Sequence, residues 1–256
     1  MAVSELASRG IILILATGRT FFECKFVLER IQSCREMIGA AGALLTDVST
    51  GQTLAREVLS PDLVARVTET ILAEGHPAQL LQDRSHCEHH YVLAGTAALH
   101  PTMSWWLSVH DLQTHRVASL DGVDLSHTAR IGVVGGPREL EGLTERIEAI
   151  YGDELVIRHW QAVSETEDQP TYLLELFRRG VDKWSMIEHV IQRDGISARE
   201  VVTIGDGLND IQMLRAAGLG IAMGQADAEV KASADRVVAS NRDDGFAQAI
   251  RELLRS

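Results

Sequence analysis

Cysteine is scarce in this 256-residue sequence, which argues against a disulfide framework. The three cysteines, Cys24, Cys34 and Cys87, stand far apart, and none belongs to a Cys-x-x-Cys pair. An odd, scattered set of this kind suits free thiols in a reducing compartment. We therefore expect a cytoplasmic protein.

Long apolar runs and excess basic charge are also lacking. No stretch approaches the roughly 20 apolar residues of a membrane-spanning helix, and the first apolar run, Ile11–Ala16, is short for a signal peptide. Acidic residues outnumber basic ones by 36 to 24, which gives a formal net charge of −12. We expect neither a nucleic-acid nor a membrane partner. A small anionic ligand is still compatible, because a few local donors decide its binding.

Both ends of the chain alternate buried-strand patterns with helix patterns. Near the start, Ile11–Leu15 is typical of a strand and Phe22–Met37 of a helix. Near the end, strand-like and helix-like runs follow one another at Val201–Ile204, Leu208–Ala217, Gly220–Met223, Arg236–Ala239 and Phe246–Leu254. Alternation of this kind predicts an α/β fold with an open, mostly parallel sheet.

The middle of the chain shows a different pattern, of short strands with two helices. One helix is predicted from Ser60-Pro61 to Gly75 and another over Glu139–Ile150. The predicted strands are Gln79–Leu81, His90–Leu93, Trp105–Val109, Ile131–Val134, Leu155–His159 and Tyr172–Phe177. The sequence therefore predicts an α+β cap domain, residues 59–176, inserted into a core domain formed by residues 1–58 and 177–256.

Two carboxylates and an amide crowd the turn that follows Val201–Ile204: Asp206, Asn209 and Asp210. Ligands of open α/β sheets bind beyond the carboxyl ends of the strands, where Asp206 stands. Carboxylates on a glycine-flanked turn suit a hard divalent cation, with Mg²⁺ favoured. An isolated Asp-Gly pair would instead indicate an ordinary acidic helix cap. The whole run favours the metal site.

Two further segments offer groups that bind anions. Thr17, Gly18 and Arg19 follow the first apolar run, where a hydroxyl and exposed backbone N–H groups form a pocket suited to phosphate. Lys183 begins a predicted helix and would bring a compact positive charge to that pocket. Taken singly, the first segment would be a structural turn and the second a solvated lysine at a helix end.

Together these elements resemble the haloacid dehalogenase superfamily, and within it the Cof-type members that carry a large α+β cap. Residues 16–19, ATGR, are similar to the second family motif, Lys183 to the third, and residues 205–224, GDGLNDIQMLRAAGLGIAMG, to the fourth. The resemblance implies a Rossmann-like core with a parallel sheet. It also implies a Mg²⁺-dependent phosphatase that hydrolyses a small phosphorylated metabolite, such as a sugar phosphate, through an aspartyl-phosphate.

The resemblance implies a role for each residue of the site. Asp206 would bind the metal, and Asp210 would support both the metal and Lys183, which neutralises charge between nucleophile and substrate. The residues implied in phosphate binding are Thr17, Gly18, Arg19, Lys183 and Asn209. Such chemistry depends mostly on positioning and electrostatics around the transferring phosphoryl group.

The nucleophile of the family is absent from this sequence. Family members carry it in an Asp-x-Asp-Gly-Thr motif on the first strand, whereas the first aspartate here is Asp47, well after Thr17. We expect the nucleophile to lie upstream of this chain, and the printed chain to be nearly inert, since removing a covalent nucleophile costs about 10⁶ in kcat. The alternative is a truncated, non-catalytic protein that binds phosphorylated ligands. A fragment of a P-type cation pump shares the Gly-Asp-Gly-x-Asn-Asp run, but the inserted cap disfavours it.

Two other features have more than one interpretation. The segment DRSHCEHHY, residues 83–91, invites a zinc site, but zinc sites take four ligands at recognisable spacing and a solvated cap loop is favoured. In the predicted strand, Trp105 and Trp106 would point to opposite faces, one ring buried and the other turned outward. The outward ring would either pack or contact an organic leaving group.

Three positions depart from the family pattern. The chain has Ala41-Gly42-Ala43 where the family often has Asn-Gly-Ala. Gln225 stands where asparagine is usual after Met-Gly, and Trp184 replaces the common glycine after the lysine. These departures affect the expected substrate more than the expected class of reaction.

Overall fold

A computed structural model describes residues 2–31, 33–162 and 170–255 of the chain. The contacts divide the chain into two compact units. The core unit consists of Met1–Gly51 and Asp182–Ser256, and the inserted unit of Gln52–Val181. Within the described ranges, no helix combines the length and the apolar character needed to cross a bilayer.

Both units contain helices and strands. The helices are α1 (Ala2–Ser8), α2 (Phe21–Leu28), α3 (Pro61–Ala73), α4 (Pro101–Val109), α5 (Pro137–Tyr151), α6 (Lys183–Asp194), α7 (Ile211–Ala216), α8 (Ala228–Ala232) and α9 (Gly245–Leu253). The strands are β1 (Leu13–Ala16), β2 (Cys34–Gly39), β3 (Leu44–Asp47), β4 (Thr53–Arg56), β5 (Ala78–Gln82), β6 (Tyr91–Ala94), β7 (Thr114–Val117), β8 (Thr128–Gly135), β9 (Leu155–Gln161), β10 (Tyr172–Arg178), β11 (Val202–Gly205), β12 (Leu219–Ala222) and β13 (Arg236–Val237).

The core unit contains two groups of paired strands. In the first, β1 pairs with β2 in parallel and β2 pairs with β3 antiparallel. In the second, β11, β12 and β13 form a parallel sheet in that order. Leu13 of β1 and Ile204 of β11 both pack on an apolar cluster made by Leu6, Ile250 and Leu254. The two groups of strands therefore share one helical layer formed by α1 and α9.

One edge of β1 and one edge of β11 are open. Each strand stands at the end of its sheet, and within the described part of the chain β1 pairs only with β2 and β11 only with β12. Apolar side chains beside these edges are exposed to solvent: Ile12, the residue before β1, by 58%, and Val202 of β11 by 41%. An apolar, unpaired strand edge is a site where a further strand can add.

The inserted unit is built on a mixed sheet with the order β7-β6-β5-β8-β10-β9. Leu80, Ile131 and Leu174 from this sheet share a buried cluster with Val67 of α3 and Ile147 of α5. The predicted helices from Ser60-Pro61 and over Glu139–Ile150 are confirmed as α3 and α5. Five of the six predicted strands are confirmed as β5, β6, β8, β9 and β10.

The predicted helix Phe22–Met37 is wrong beyond Leu28, where α2 ends. The strand β2 follows, with Met37 and Ile38 fully buried. The apolar spacing matched a helical stripe, but short apolar runs fit a buried strand equally well. Ladders on both sides, to β1 and to β3, satisfy the backbone of β2 and decide in favour of the strand.

The predicted strand Trp105–Val109 is also wrong, because these residues belong to α4. Pro101 occupies the first turn, and the His100 side chain accepts a backbone N–H of that turn. Proline is favourable at the first helical position because its fixed φ suits the helix. Trp105 and Trp106 are both partly buried, with ring centroids 6.0 Å apart. The expected split into one buried and one outward ring is therefore not found.

The contacts place the unit boundaries at 51/52 and 181/182, whereas the sequence placed them at 58/59 and 176/177. At the first boundary, Thr53 ties β4 to the inserted unit, since its hydroxyl donates to Asp83 Oδ1 at 2.6 Å and its N–H donates to Ser85 Oγ at 2.7 Å. At the second boundary, Arg178 pairs with Glu57 inside the same unit. Both connecting segments therefore pack with the inserted unit.

Replacing Ile147 by alanine should destabilise the inserted unit. Ile147 is 0% exposed on α5, so the substitution leaves a cavity, and we expect the free energy of unfolding to fall by about 2–5 kcal/mol. Urea denaturation followed by circular dichroism measures this change. Ile150 on the same helix is 53% exposed, and Ile150→Ala is the matched control with little expected effect. Equal losses for the two variants would contradict the packing of α5.

Candidate active site

The loop after β1 is held by backbone hydrogen bonds to the segment after β2. Thr17 N donates to Ile38 O at 2.9 Å, Ala40 N to Arg19 O at 2.9 Å, and Ala41 N to Thr17 O at 3.0 Å. Within the loop, Arg19 N donates to Thr17 Oγ1 at 3.2 Å. The Thr17 oxygen is therefore an acceptor inside the loop, which leaves its hydroxyl hydrogen to donate to a ligand.

The segment after β2 brings this loop against the start of α6. Ala40, Ala41 and Gly42 have φ values of +46°, +57° and +113°. A Cβ atom on Gly42 would lie 2.0 Å from the carbonyl oxygen of Asp182 and 3.0 Å from the backbone nitrogen of Lys183. Only glycine permits both this conformation and this contact between two backbones.

Lys183 is the first residue of α6, and Asp182 caps that helix. The Asp182 carboxylate accepts from Ser185 N at 2.8 Å, which fixes the helix start. Lys183 Nζ lies 2.5 Å from Asp210 Oδ1. The side chains of Lys183 and Asp210 are only 7% and 5% exposed, so this is a buried ion pair.

Asp210 also closes the turn after β11. Its Oδ2 accepts hydrogen bonds from the backbone N–H groups of Asp206 and Gly207, both at 2.9 Å. A Cβ on Gly205 would come within 2.6 Å of the Asp210 carboxylate, so glycine is required where the strand ends. One carboxylate therefore shapes the turn with one oxygen and holds Lys183 with the other.

Asp206 and Asn209 project from this turn. Asp206 is exposed, and its Oδ2 accepts from Gln225 Nε2 at 2.7 Å. The Asn209 amide lies between two glycines: its Oδ1 is 2.8 Å from the position of a Cβ on Gly207, and its Nδ2 is 3.9 Å from that of a Cβ on Gly18. Asn209 therefore connects the acidic turn to the loop after β1.

These contacts join the three segments that the sequence singled out. Asn209 adjoins Gly18 of the first segment, and Lys183 of the second is bonded to Asp210 of the third. The predicted site residues that meet in this way within the core unit are Thr17, Gly18, Arg19, Lys183, Asp206, Asn209 and Asp210.

Two contributions were missed from the sequence. Gln225 was noted as a departure from the family pattern, but its bond to Asp206 depends on a contact between β11 and β12 that sequence spacing does not reveal. Likewise, Gly42 stood in a noted tripeptide, and its approach to Asp182 follows only from the fold. A glycine following two small residues was the one available signal for a close backbone contact.

The oxygen donors of Asp206 and Asp210 are those that a hard divalent cation takes. In the described ranges, no group of three or more His, Cys, Asp or Glu side chains could hold a metal ion. The two carboxylates therefore fit such a cation as part of its ligand set, and the other oxygens must come from elsewhere. Asp210 has both oxygens engaged, so Asp206 is the better placed ligand.

The structure does not support a zinc site at residues 83–91, since the described ranges contain no group of three or more His, Cys, Asp or Glu side chains that could hold a metal ion. His86 Nδ1 lies within hydrogen-bond distance of Asp83 Oδ2, at 2.9 Å, so that carboxylate already has a local partner. Burial, together with the negative charge of Asp83, raises the pKa of the Cys87 thiol to about 11. A thiol of this kind is a poor source of the thiolate that zinc binds.

Comparison with known proteins gives the family. A family model described as haloacid dehalogenase-like hydrolase matches residues 1–250. The chain belongs to this family of hydrolases. A phosphatase of Bacillus subtilis, 5-amino-6-(5-phospho-D-ribitylamino)uracil phosphatase YcsE, is 26% identical over 250 residues, covering 98% of this chain and 85% of the relative. Pyridoxal phosphate phosphatase YbhA of Escherichia coli is 43% identical over 77 residues, covering 30% of this chain and 28% of the relative.

Solved structures show the same fold. A haloacid dehalogenase-like hydrolase from Bacteroides thetaiotaomicron superposes with a TM-score of 0.78 at 22% identity, covering 98% of this chain and 90% of that one. The subclass IIB sugar phosphatase BT4131 superposes with a TM-score of 0.76 at 21% identity, covering 98% and 89%. The predicted family and the predicted Rossmann-like α/β fold with a cap are thereby confirmed.

Replacing Gly42 by alanine should disturb both the fold and the position of Lys183. The left-handed φ costs a non-glycine residue about 1–2 kcal/mol, and the clash with Asp182 adds about 1–3 kcal/mol of overpacking. Urea denaturation of Gly42→Ala measures the total. Gly10→Ala is the matched control, because Gly10 has φ +74° with nothing within 4 Å. If both variants lost the same stability, the close contact at Gly42 would be refuted.

A double-mutant cycle should detect strong coupling between Lys183 and Asp210. Removing one partner of a buried ion pair costs about 3–5 kcal/mol, and we expect Lys183→Met and Asp210→Asn together to lose less than their sum, with a coupling of about 0.5–3 kcal/mol. Chemical denaturation of the three variants gives the cycle. The exposed pair Arg66 and Asp62 on α3 is the control, with no measurable coupling expected. Absence of coupling at Lys183 would contradict the buried pair.

Proposed function

We propose that this chain supplies the metal- and phosphate-binding groups of a Mg²⁺-dependent phosphatase that hydrolyses a small phosphorylated metabolite. The observation that carries the proposal is the contact network joining Thr17–Arg19, Lys183 and Asp206–Asp210 at one end of β1 and β11. Binding sites of α/β sheets lie beyond the carboxyl ends of parallel strands. The network supplies cationic, hydroxyl and amide donors there, as phosphoryl transfer requires.

Phosphate binding falls to the loop after β1 and to Asn209. The Thr17 oxygen accepts from Arg19 N, so its hydroxyl hydrogen is available to donate to a phosphoryl oxygen. The Asn209 Nδ2 group lies beside Gly18, where the missing side chain leaves room for a phosphoryl oxygen. We assign Thr17, Gly18, Arg19 and Asn209 to the binding of the phosphate.

Lys183 supplies the charge. One of its three N–H groups points to Asp210, and we assign the others to the phosphoryl oxygens and the attacking carboxylate. A positive charge with little exposure to water interacts strongly with developing negative charge. Asp210 acts through Lys183 and through the turn, as a positioning residue that also supports the metal.

Asp206 would hold Mg²⁺, with Asp210 in support. When bound, the cation would neutralise charge on the phosphoryl group and orient it. The exposed carboxylate of Asp206 fits this role, since Mg²⁺ is usually held by one or two carboxylates together with water and substrate oxygens.

The nucleophile in this proposal is an aspartate on a strand that adds between β1 and β11, from a segment upstream of this chain. The open edges of these strands, with exposed Ile12 and Val202, support such a placement. The carboxylate attacks phosphorus, the P–O bond to the leaving group breaks, and the leaving oxygen takes a proton from the second aspartate of the Asp-x-Asp-Gly-Thr motif. Water then gives a proton back to that second aspartate, attacks the aspartyl-phosphate, releases inorganic phosphate and restores the carboxylate.

The substrate class rests on the relatives. YcsE and YbhA are named for phosphorylated small molecules, and BT4131 is described as a sugar phosphatase. We therefore infer a sugar phosphate or a similar organic monophosphate.

All three cysteines are free thiols, which supports a cytoplasmic reaction.

A non-catalytic protein that binds phosphorylated ligands is the second candidate. Within the described ranges, Asp206 and Asp210 are not part of any group of three His, Cys, Asp or Glu side chains that could hold a metal ion. This candidate predicts that phosphorylated ligands raise the Tm of the protein without being consumed.

Addition of a first strand that carries Asp-x-Asp-Gly-Thr should confer phosphatase activity. We expect the extended protein to release phosphate from an aryl phosphate or from a sugar phosphate panel with Mg²⁺, and the 256-residue chain to be about 10⁶-fold slower. Release of inorganic phosphate is the measurement. The control changes the first aspartate of the added motif to asparagine. No turnover by the extended protein on any substrate would contradict the proposal and favour the second candidate.

A further inference from the structure

The side chain of Gln225 links the Asp206 carboxylate to the segment after β13. Its Nε2 donates to Asp206 Oδ2 at 2.7 Å, and its Oε1 accepts from Asn241 N at 2.9 Å. Both ends of the amide are therefore engaged, although Gln225 lies at the surface. The two hydrogen bonds therefore hold the side-chain amide of Gln225 in one orientation.

The orientation of the amide follows from its partners. A backbone N–H can only donate, so the end of the amide that meets Asn241 must be the oxygen. The NH₂ end then faces Asp206, whose ionised carboxylate can only accept.

The backbone around Gln225 is also fixed. Met223 N donates to Gly205 O at 2.9 Å, which ties the end of β12 to the end of β11. Gly224 N donates to Ala239 O at 3.1 Å, and a Cβ on Gly224 would lie 2.7 Å from Ser240 N. Gln225 therefore starts from a turn clamped between two backbones, so its amide needs little ordering to reach Asp206.

We propose that Gln225 is a positioning residue for the divalent cation, a role that rests on the Mg²⁺-dependent function proposed above. Its hydrogen bond holds Oδ2 of Asp206 and so presents Oδ1 to the cation. The donor is a neutral amide, so it adds no positive charge that would compete with the cation. Hydrogen bonds to ligating carboxylates orient the ligand, and their loss typically weakens metal binding by about 10–100-fold.

Mn²⁺ binding to the 256-residue chain tests this role without any need for catalysis. Electron paramagnetic resonance of free Mn²⁺ gives the Kd. We expect Gln225→Met, which keeps the length but removes the donor, to raise the Kd by about 10–100-fold. Gln248→Met is the matched control, because Gln248 Nε2 also donates to a carboxylate, Glu252 Oε1, at 2.9 Å. Gln248→Met should bind Mn²⁺ like the wild-type chain, whereas Asp206→Asn should abolish binding.

A metal-free melting curve separates positioning from a structural role. The Tm of Gln225→Met should match that of Gln248→Met, and a much lower Tm would overturn the proposal. If Gln225→Met bound Mn²⁺ with the same Kd as the wild-type chain, the role of Gln225 would be overturned and the metal assignment would stand. A wild-type chain that binds no Mn²⁺, or Asp206→Asn that binds it normally, would overturn the metal assignment together with Gln225.

In the extended protein, the same variant should need about 10–100-fold more Mg²⁺ for half-maximal rate. Its kcat at saturating Mg²⁺ should match that of the unmodified extended protein, because the bound geometry is the same once the cation is present. A lower kcat that excess Mg²⁺ does not restore would contradict a positioning role.

Discussion

The buried ion pair between Lys183 and Asp210 is the interaction on which the site depends. Asp210 has three hydrogen bonds, two from the turn after β11 and one from Lys183. Burying a charge is costly unless it is paired and hydrogen-bonded. The same carboxylate therefore allows a lysine ammonium to be buried and also fixes the turn that carries Asp206 and Asn209.

Backbones approach one another closely around this pair, and glycine makes that possible. Gly42 meets Asp182, Gly205 meets Asp210, and Gly224 meets the segment after β13. At each of these glycines, a neighbouring residue fills the space that a side chain would occupy. The loops that follow β1, β2, β11 and β12 can therefore lie close together. The functional groups thus stand on loops that close backbone contacts hold in place, which is the preorganisation that electrostatic stabilisation of a reaction needs.

Sequence reasoning singled out three segments that meet in the structure: Thr17–Arg19, Lys183 and the run from Asp206 to Asp210. They could be singled out because phosphoryl-transfer chemistry needs fixed residue types in a fixed order, and their roles stay a prediction. In contrast, Cys34–Gly39 and Trp105–Val109 were misassigned, because a short apolar run is compatible with both the helical and the strand repeat. Pairing with neighbouring strands decides in favour of a strand at Cys34–Gly39, and a proline at the helix start decides in favour of a helix at Trp105–Val109. The bond from Gln225 to Asp206 could not be predicted, since it joins residues 19 positions apart through the pairing of β11 with β12.

The most direct test of the convergence of these segments is a crystal structure of the chain with Mn²⁺ and tungstate, an analogue of phosphate, located by their anomalous scattering. The account predicts the Mn²⁺ peak on Asp206 and the tungstate beside it, bonded to the Thr17 hydroxyl and the Lys183 ammonium. Peaks at separate places on the protein, or a tungstate that touches neither Thr17 nor Lys183, would contradict it.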